Sequence, residues 1–128
     1  MIDIRQTQKR LQDHLHALTV TIGERSVRLP KNLDKTAAYI TYFFDNLGVT
    51  VENQAYSYAE LPLDNIIAEI AFGSDPKHRF LLGAHYDSVS GTVGADDNAS
   101  AVAVQLEVAR YLAEQKGSNT LDLAVKFV

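Results

Sequence analysis

The sequence predicts an α/β domain: a mixed sheet of about four strands with helices packed on it. Two observations carry this. Apolar residues recur at helical spacing in some segments and alternate at strand spacing in others, in the order helix, helix, strand, strand, strand, helix, strand. The closing strand–helix–strand unit then implies two parallel strands joined by a right-handed crossover.

Residues 4–19 carry Ile4, Leu11, Leu15 and Leu18 at roughly helical spacing, which predicts the first helix. Thr21 to Asn32, with Gly23 and Pro30, predicts a loop. Leu33, Ala37, Ile40, Phe43, Phe44 and Leu47 form one stripe, so residues 33–47 predict a second helix stopped by Gly48. Val49 to Tyr58 predicts a strand with one wet face, and Asn65 to Phe72 a more apolar strand, joined by a loop at 60–64 and pairing antiparallel. Gly73-Ser74-Asp75-Pro76 is a turn, and Arg79 to Ala84 a third strand. Residues 99–116 predict a third helix with Val102, Leu106 and Ala109 inward and Glu107, Arg110, Glu114 and Lys116 outward. Gly117-Ser118-Asn119 turns the chain into a fourth strand, Leu121 to Val128.

A chain of 128 residues suits a single domain, 1–128, with a real core. Its net charge of −4 argues against a general affinity for nucleic acid or anionic membrane. The absence of cysteine removes disulfides, thiolate metal sites and cysteine nucleophiles together. The polar N-terminus lacks a signal-peptide core, and no apolar run approaches the ~20 residues that span a bilayer. A cytoplasmic location is therefore expected, with secretion the alternative if the start is incomplete.

Phe80-Leu81-Leu82-Gly83-Ala84 delivers His85 and Asp87 to the carboxyl end of the third strand, where open α/β sheets bind ligands. Two residues apart on extended backbone, they face one side. One could bind a metal while the other orients the imidazole. Gly91 and Gly94 allow a turn that returns Asp97 toward His85 at the start of the third helix. Imidazole and carboxylate together suit zinc. The plain alternative is that Asp96, Asp97, Asn98 and Ser100 are helix caps and that His85 and Asp87 are a hydrogen-bonded pair. One cap would suffice, however, and this loop supplies several carboxylates at the ligand-binding edge.

Other candidates are weaker. His14 and His16 do not face one another on a helix and predict a solvated face. His78, beside Lys77 and Arg79, is expected to be exposed. Gly91-Thr92-Val93-Gly94 lacks the lysine of a phosphate loop, and no Gly-x-Ser-x-Gly elbow occurs.

His85-Tyr86-Asp87-Ser88-Val89, with Gly94-Ala95-Asp96-Asp97-Asn98-Ala99-Ser100 and Leu106-Glu107-Val108-Ala109-Arg110, closely resembles the co-catalytic di-zinc aminopeptidases, metallopeptidase family 28. That family includes zinc-dependent glutaminyl cyclases. A looser likeness, through Ala38-Tyr39-Ile40, Leu47-Gly48-Val49 and Asn65-Ile66-Ile67-Ala68, extends it over nearly the whole chain from about Arg25. The resemblance implies that His85 is a zinc ligand, that Asp97 bridges two zincs and that Asp87 steadies the histidine. It also implies an α/β/α sandwich and a peptide substrate cut at its N-terminus. Ala101 stands where the family usually has glycine.

The family continues past a strand like Leu121–Val128 into a Glu-Glu pair, a further acidic ligand and a second histidine. None of these positions occurs here, the general-base glutamate included. The expectation is an N-terminal portion that is inactive alone and binds zinc weakly or not at all. The alternatives are a non-enzymatic module, homodimeric through an exposed sheet edge, and part of a glutaminyl cyclase.

Overall fold

The computed structural model describes residues 2–117 and 121–128. Its first helix, α1 (Ile4–His16), opens at Asp3, whose Oδ1 accepts the Gln6 N–H at 3.1 Å. The helix then widens into a π-helical segment, Ala17–Ile22, that ends at Gly23. Helical structure therefore runs past the predicted end at residue 19. The predicted loop is also shorter at its far end, because α2 spans Pro30–Asn46. Proline in the first turn costs nothing, since its missing N–H would have had no helical partner. Leu33, Thr36, Ile40 and Phe44 form the buried stripe of α2, and the Thr36 hydroxyl is satisfied by Asn32 O at 2.7 Å.

The first two strands, β1 (Val51–Tyr58) and β2 (Leu61–Phe72), form an antiparallel hairpin. The predicted loop at 60–64 is instead a tight turn at Ala59 and Glu60, both at positive φ, and Pro62 to Asp64 belong to β2. Neither turn residue is the Asn or Gly that normally signals such a turn, so the sequence offered no mark for it. β1 was expected to have one dry face. It is an edge strand with only Val51 half-buried, and the rest is exposed on both faces.

β3 (His78–Leu82), α3 (Ser100–Gln115) and β4 (Leu123–Phe127) form the predicted parallel unit, with Phe80 opposite Val125 and Leu82 opposite Phe127. β4 also pairs antiparallel with β2, giving a mixed sheet in the order β1-β2-β4-β3. The predicted turn at Gly117-Ser118-Asn119 falls largely outside the described residues.

The core lies between sheet and helices. Ile66, Ala68, Ile70 and Phe72 of β2 and Val125 and Phe127 of β4 meet Ile40 and Phe44 of α2 and Val102 and Leu106 of α3. The rings of Phe44 and Phe127 pack at 5.8 Å. Each such side chain contributes about 1.5–3 kcal/mol on burial, which is what holds the helices to the sheet.

Where α1 crosses α3, two expectations fail together. His14 was expected to be solvated and Glu107 to face outward, yet both are buried. Glu107 Oε2 accepts from Arg10 Nε at 2.8 Å and from Arg110 Nε at 3.0 Å, and its Oε1 lies 3.4 Å from His14 Nε2. The polar stripes of the two helices face each other, and each reads as a solvent face when taken alone.

The parallel ladder runs beyond the strand ends. Val128 N–H donates to Leu82 O, and Ala84 N–H donates to Val128 O, both at 2.9 Å. Gln105 Nε2 donates to Leu82 O and Val128 O at 3.1 and 3.2 Å, tying α3 to both strand tips. His85 is the next residue out.

Candidate functional site

His85 leaves the tip of β3 on this pinned backbone. Its Nδ1 lies 3.1 Å from Asp87 Oδ1 and its Nε2 lies 3.1 Å from Asp97 Oδ1. The expectation that His85 and Asp87 face one side is met. All three side chains are more than half exposed, so the group is open to ligands.

Asp97 comes back to His85 through the turn at residues 88–94. Gly91 and Gly94 both adopt positive φ there. A Cβ on Gly94 would lie 2.5 Å from Asp97 O and 2.6 Å from Ser88 Cβ, so glycine is required by packing as well as by φ. Next comes a π-helical turn, Ala95–Ala99, in which Asp97 (φ −112°, ψ 90°) is not helical. The Asp97–Asn98 peptide bond is cis.

Of the plain alternative, the hydrogen-bonded His85–Asp87 pair is present, but the helix caps are not. The cap position of α3 falls on Ala99, with no side chain bonded to the helix start. Ser100 Oγ instead donates back to Asp96 O at 2.8 Å. The Asp97 carboxylate is thereby left to His85.

A carboxylate on Nδ1 favours the imidazole with its proton there and its lone pair at Nε2, the form that binds metal. Two ligand atoms on a tetrahedral zinc, each about 2.0–2.1 Å from the ion, lie about 3.3 Å apart. The Nε2–Oδ1 separation of 3.1 Å fits two neighbouring ligands of one such ion. Asp87 is bonded to the other ring nitrogen and does not complete a triad: among the described residues, no three His, Cys, Asp or Glu side chains gather around a common metal position.

Sequence reasoning missed the residues that hold this loop. Arg25 is fully buried, and every acceptor of its guanidinium is a backbone carbonyl. Nε donates to Tyr86 O at 2.7 Å. Nη1 donates to Leu18 O, Gly23 O and Val93 O at 2.8, 2.9 and 2.8 Å, and Nη2 to Gly94 O at 3.2 Å. Burial lowers the Arg25 pKa, and the charge of Asp87 opposes that shift. Ser88 is buried as well, its Oγ accepting from Arg25 N–H at 3.0 Å and donating to Thr92 O at 2.9 Å. The partners of Arg25 include residues 61 to 69 positions away, so no local pattern announces it.

Beside His85 opens a cavity of about 650 Å³ whose walls include Leu33, Phe44, Tyr56, Tyr86 and Leu106. The Tyr86 hydroxyl donates to Asp64 O at 2.8 Å, and burial pushes its pKa up to about 12, so it stays a donor.

Residues 65–128 match the sequence model of peptidase family M28. The uncharacterized protein YfbL of Escherichia coli (strain K12) is 37% identical over 115 residues, covering 84% of this chain and 35% of that protein. A probable zinc metalloprotease of Leptosphaeria maculans is 31% identical over 70 residues, 48% of this chain and 16% of that protein. This chain thus spans about a third or less of these relatives. Among solved structures, the Porphyromonas gingivalis glutaminyl cyclase superposes with a TM-score of 0.70 at 26% identity, covering 98% of this chain and 44% of that one. The zinc aminopeptidase of Bacillus subtilis gives 0.76 at 14% identity, over 93% of this chain and 60% of that one, a likeness of fold alone. The match to the family model takes in the pair His85 and Asp97, their loop and the whole parallel unit, and on it the chain belongs to peptidase family M28.

Proposed function

We infer that this domain carries part of a di-zinc centre for removing N-terminal residues from peptides. The observation that carries the reading is His85 held between Asp87 on one ring nitrogen and Asp97 on the other. In this reading His85 and Asp97, 3.1 Å apart, would hold the metal. Asp87 fixes the imidazole tautomer. When bound, the metal pair would activate a water and polarise the scissile carbonyl.

Two protein ligands are fewer than the three a catalytic zinc normally takes. Among the described residues no glutamate joins His85 and Asp97 to serve as general base. We therefore expect weak zinc binding and negligible turnover by residues 1–128 alone. The test is hydrolysis of a panel of aminoacyl p-nitroanilides by the purified chain with zinc, with EDTA and His85→Ala as controls. Zinc-dependent turnover lost in His85→Ala would overturn the ligand count and show that the site is completed between chains.

A second reading is favoured by one observation: four glutaminyl cyclase structures are 21–26% identical to this chain, against 13–18% for the Bacillus and Legionella aminopeptidase structures. In this reading the same metal pair belongs to a cyclase. Ammonia release from an N-terminal glutaminyl peptide, absent with the aminoacyl anilides, separates the two in any assembly that restores activity.

A further inference from the structure

We propose that Arg25 is a positioning residue that sets the separation between His85 and Asp97; this rests on the metal-binding reading above. One guanidinium spans the two segments that carry the pair. Its Nε holds Tyr86 O, and Tyr86 lies between His85 and Asp87 in sequence. Its Nη2 holds Gly94 O, which also accepts the Ala99 N–H at 3.0 Å and so closes the turn containing Asp97. Its Nη1 holds Val93 O in the same loop and Leu18 O and Gly23 O at the end of the first helical stretch.

The backbone of Arg25 repeats the grip. Its N–H donates to Ser88 Oγ, and its carbonyl accepts the Ser88 N–H, both at 3.0 Å. Glu24 and Ser26 add to it: Glu24 accepts the Ser26 hydroxyl at 2.5 Å, and a bond from the Gly91 backbone helps hold its carboxyl below the usual range. Glu24 and Arg25 thus clasp the loop at both ends and at its tip.

The loop between His85 and Asp97 has no regular secondary structure before Ala95 to fix its span. Buried carbonyls there need donors, and a planar fork of five N–H groups can serve acceptors in different directions at once. A lysine ammonium is a single point with three donors and cannot replace the five carbonyl bonds that Arg25 makes. Gly94 shows how close the packing is, since a Cβ there would come within 3.2 Å of Arg25 Nη2.

The test compares wild type, Arg25→Lys and a control, Ile70→Ala, which opens a cavity in β2 at a residue with 0% exposure. Each is crystallised metal-free and titrated with zinc by calorimetry below its melting temperature. Arg25→Lys should open the Nε2–Oδ1 separation from 3.1 Å to beyond about 4 Å and lower zinc affinity at least about tenfold. Ile70→Ala should lose thermal stability yet keep both. An Arg25→Lys variant that keeps the separation and the wild-type affinity overturns the proposal, as does an equal affinity loss in Ile70→Ala. If wild type shows no zinc uptake, the metal reading fails, while the separation still decides the role of Arg25. Should Arg25→Lys not fold, Arg25→Gln, which buries no charge, carries the same readouts.

Discussion

The Nε2 of His85 and the Oδ1 of Asp97 stand 3.1 Å apart, although one leaves a strand tip and the other precedes a helix. Both side chains are more than half exposed, so their contact contributes little to stability. His85→Ala and Asp97→Asn should each shift unfolding by no more than about 0.5 kcal/mol. Each should abolish whatever weak zinc uptake calorimetry finds in wild type. A large stability loss with uptake intact would mean that the pair is structural.

Gly94 and Gly91 give a sharper contrast. Alanine at Gly91 meets nothing within 4 Å and suffers only from its φ of +88°, a cost of about 1–2 kcal/mol. Alanine at Gly94 adds a collision with the backbone oxygen of Asp97. Gly94→Ala should therefore cost clearly more than Gly91→Ala, by about 1–3 kcal/mol in urea unfolding. Equal losses would show that the loop moves aside freely.

The site was legible because its chemistry is written locally. Apolar β3 points His85 outward, extended spacing aligns Asp87 with it, and two glycines mark the return to Asp97. The parallel unit was legible for a related reason: β3 is an apolar run, β4 alternates, and the helix between them has one apolar stripe. What escaped depends on faces that meet only in three dimensions. His14 follows Gln12 and Asp13, and Glu107 falls on the polar side of its helix with Arg110 and Glu114, yet each is buried by the other's helix. The Ala59–Glu60 turn is held by the long β1–β2 register, not by turn-forming residues. Arg25 lies in a segment with no periodicity, and its value comes from carbonyls far along the chain.

Glu107 anchors α3 to α1 through Arg10 and is also bonded within its own helix by Arg110. Burial works to raise its pKa, but the bonds from the two arginines outweigh it and leave the carboxyl below its usual range. A depressed acid contributes stability that is present above the unfolded value of 4.5 and lost as pH falls through the folded value. Glu107→Ala leaves Arg10 and Arg110 without their shared acceptor and should cost about 3–5 kcal/mol at neutral pH. Glu107→Gln should cost less and flatten the acid limb of stability below about pH 4.5. An unchanged acid limb in that variant would assign the limb to other carboxylates.

His14 sets a separate window. Burial lowers its pKa below 6.5, although Glu107 and Asp13 pull the other way and Arg10 adds to the lowering. The neutral ring lies edge-on to Phe43 at 5.1 Å, with Nδ1 2.6 Å from the Tyr39 hydroxyl. As pH falls from above 6.5, the unfolded chain takes up a proton on this histidine before the folded one does. Stability should therefore be full above about pH 7 and decline between 6.5 and the lower folded value. His14→Gln, which keeps an amide near Tyr39 but does not titrate, should remove that decline while leaving the Glu107 limb at lower pH in place. Urea midpoints taken from about pH 8 down to pH 5 read the difference directly, and a decline of equal slope in the variant would assign this window to another group.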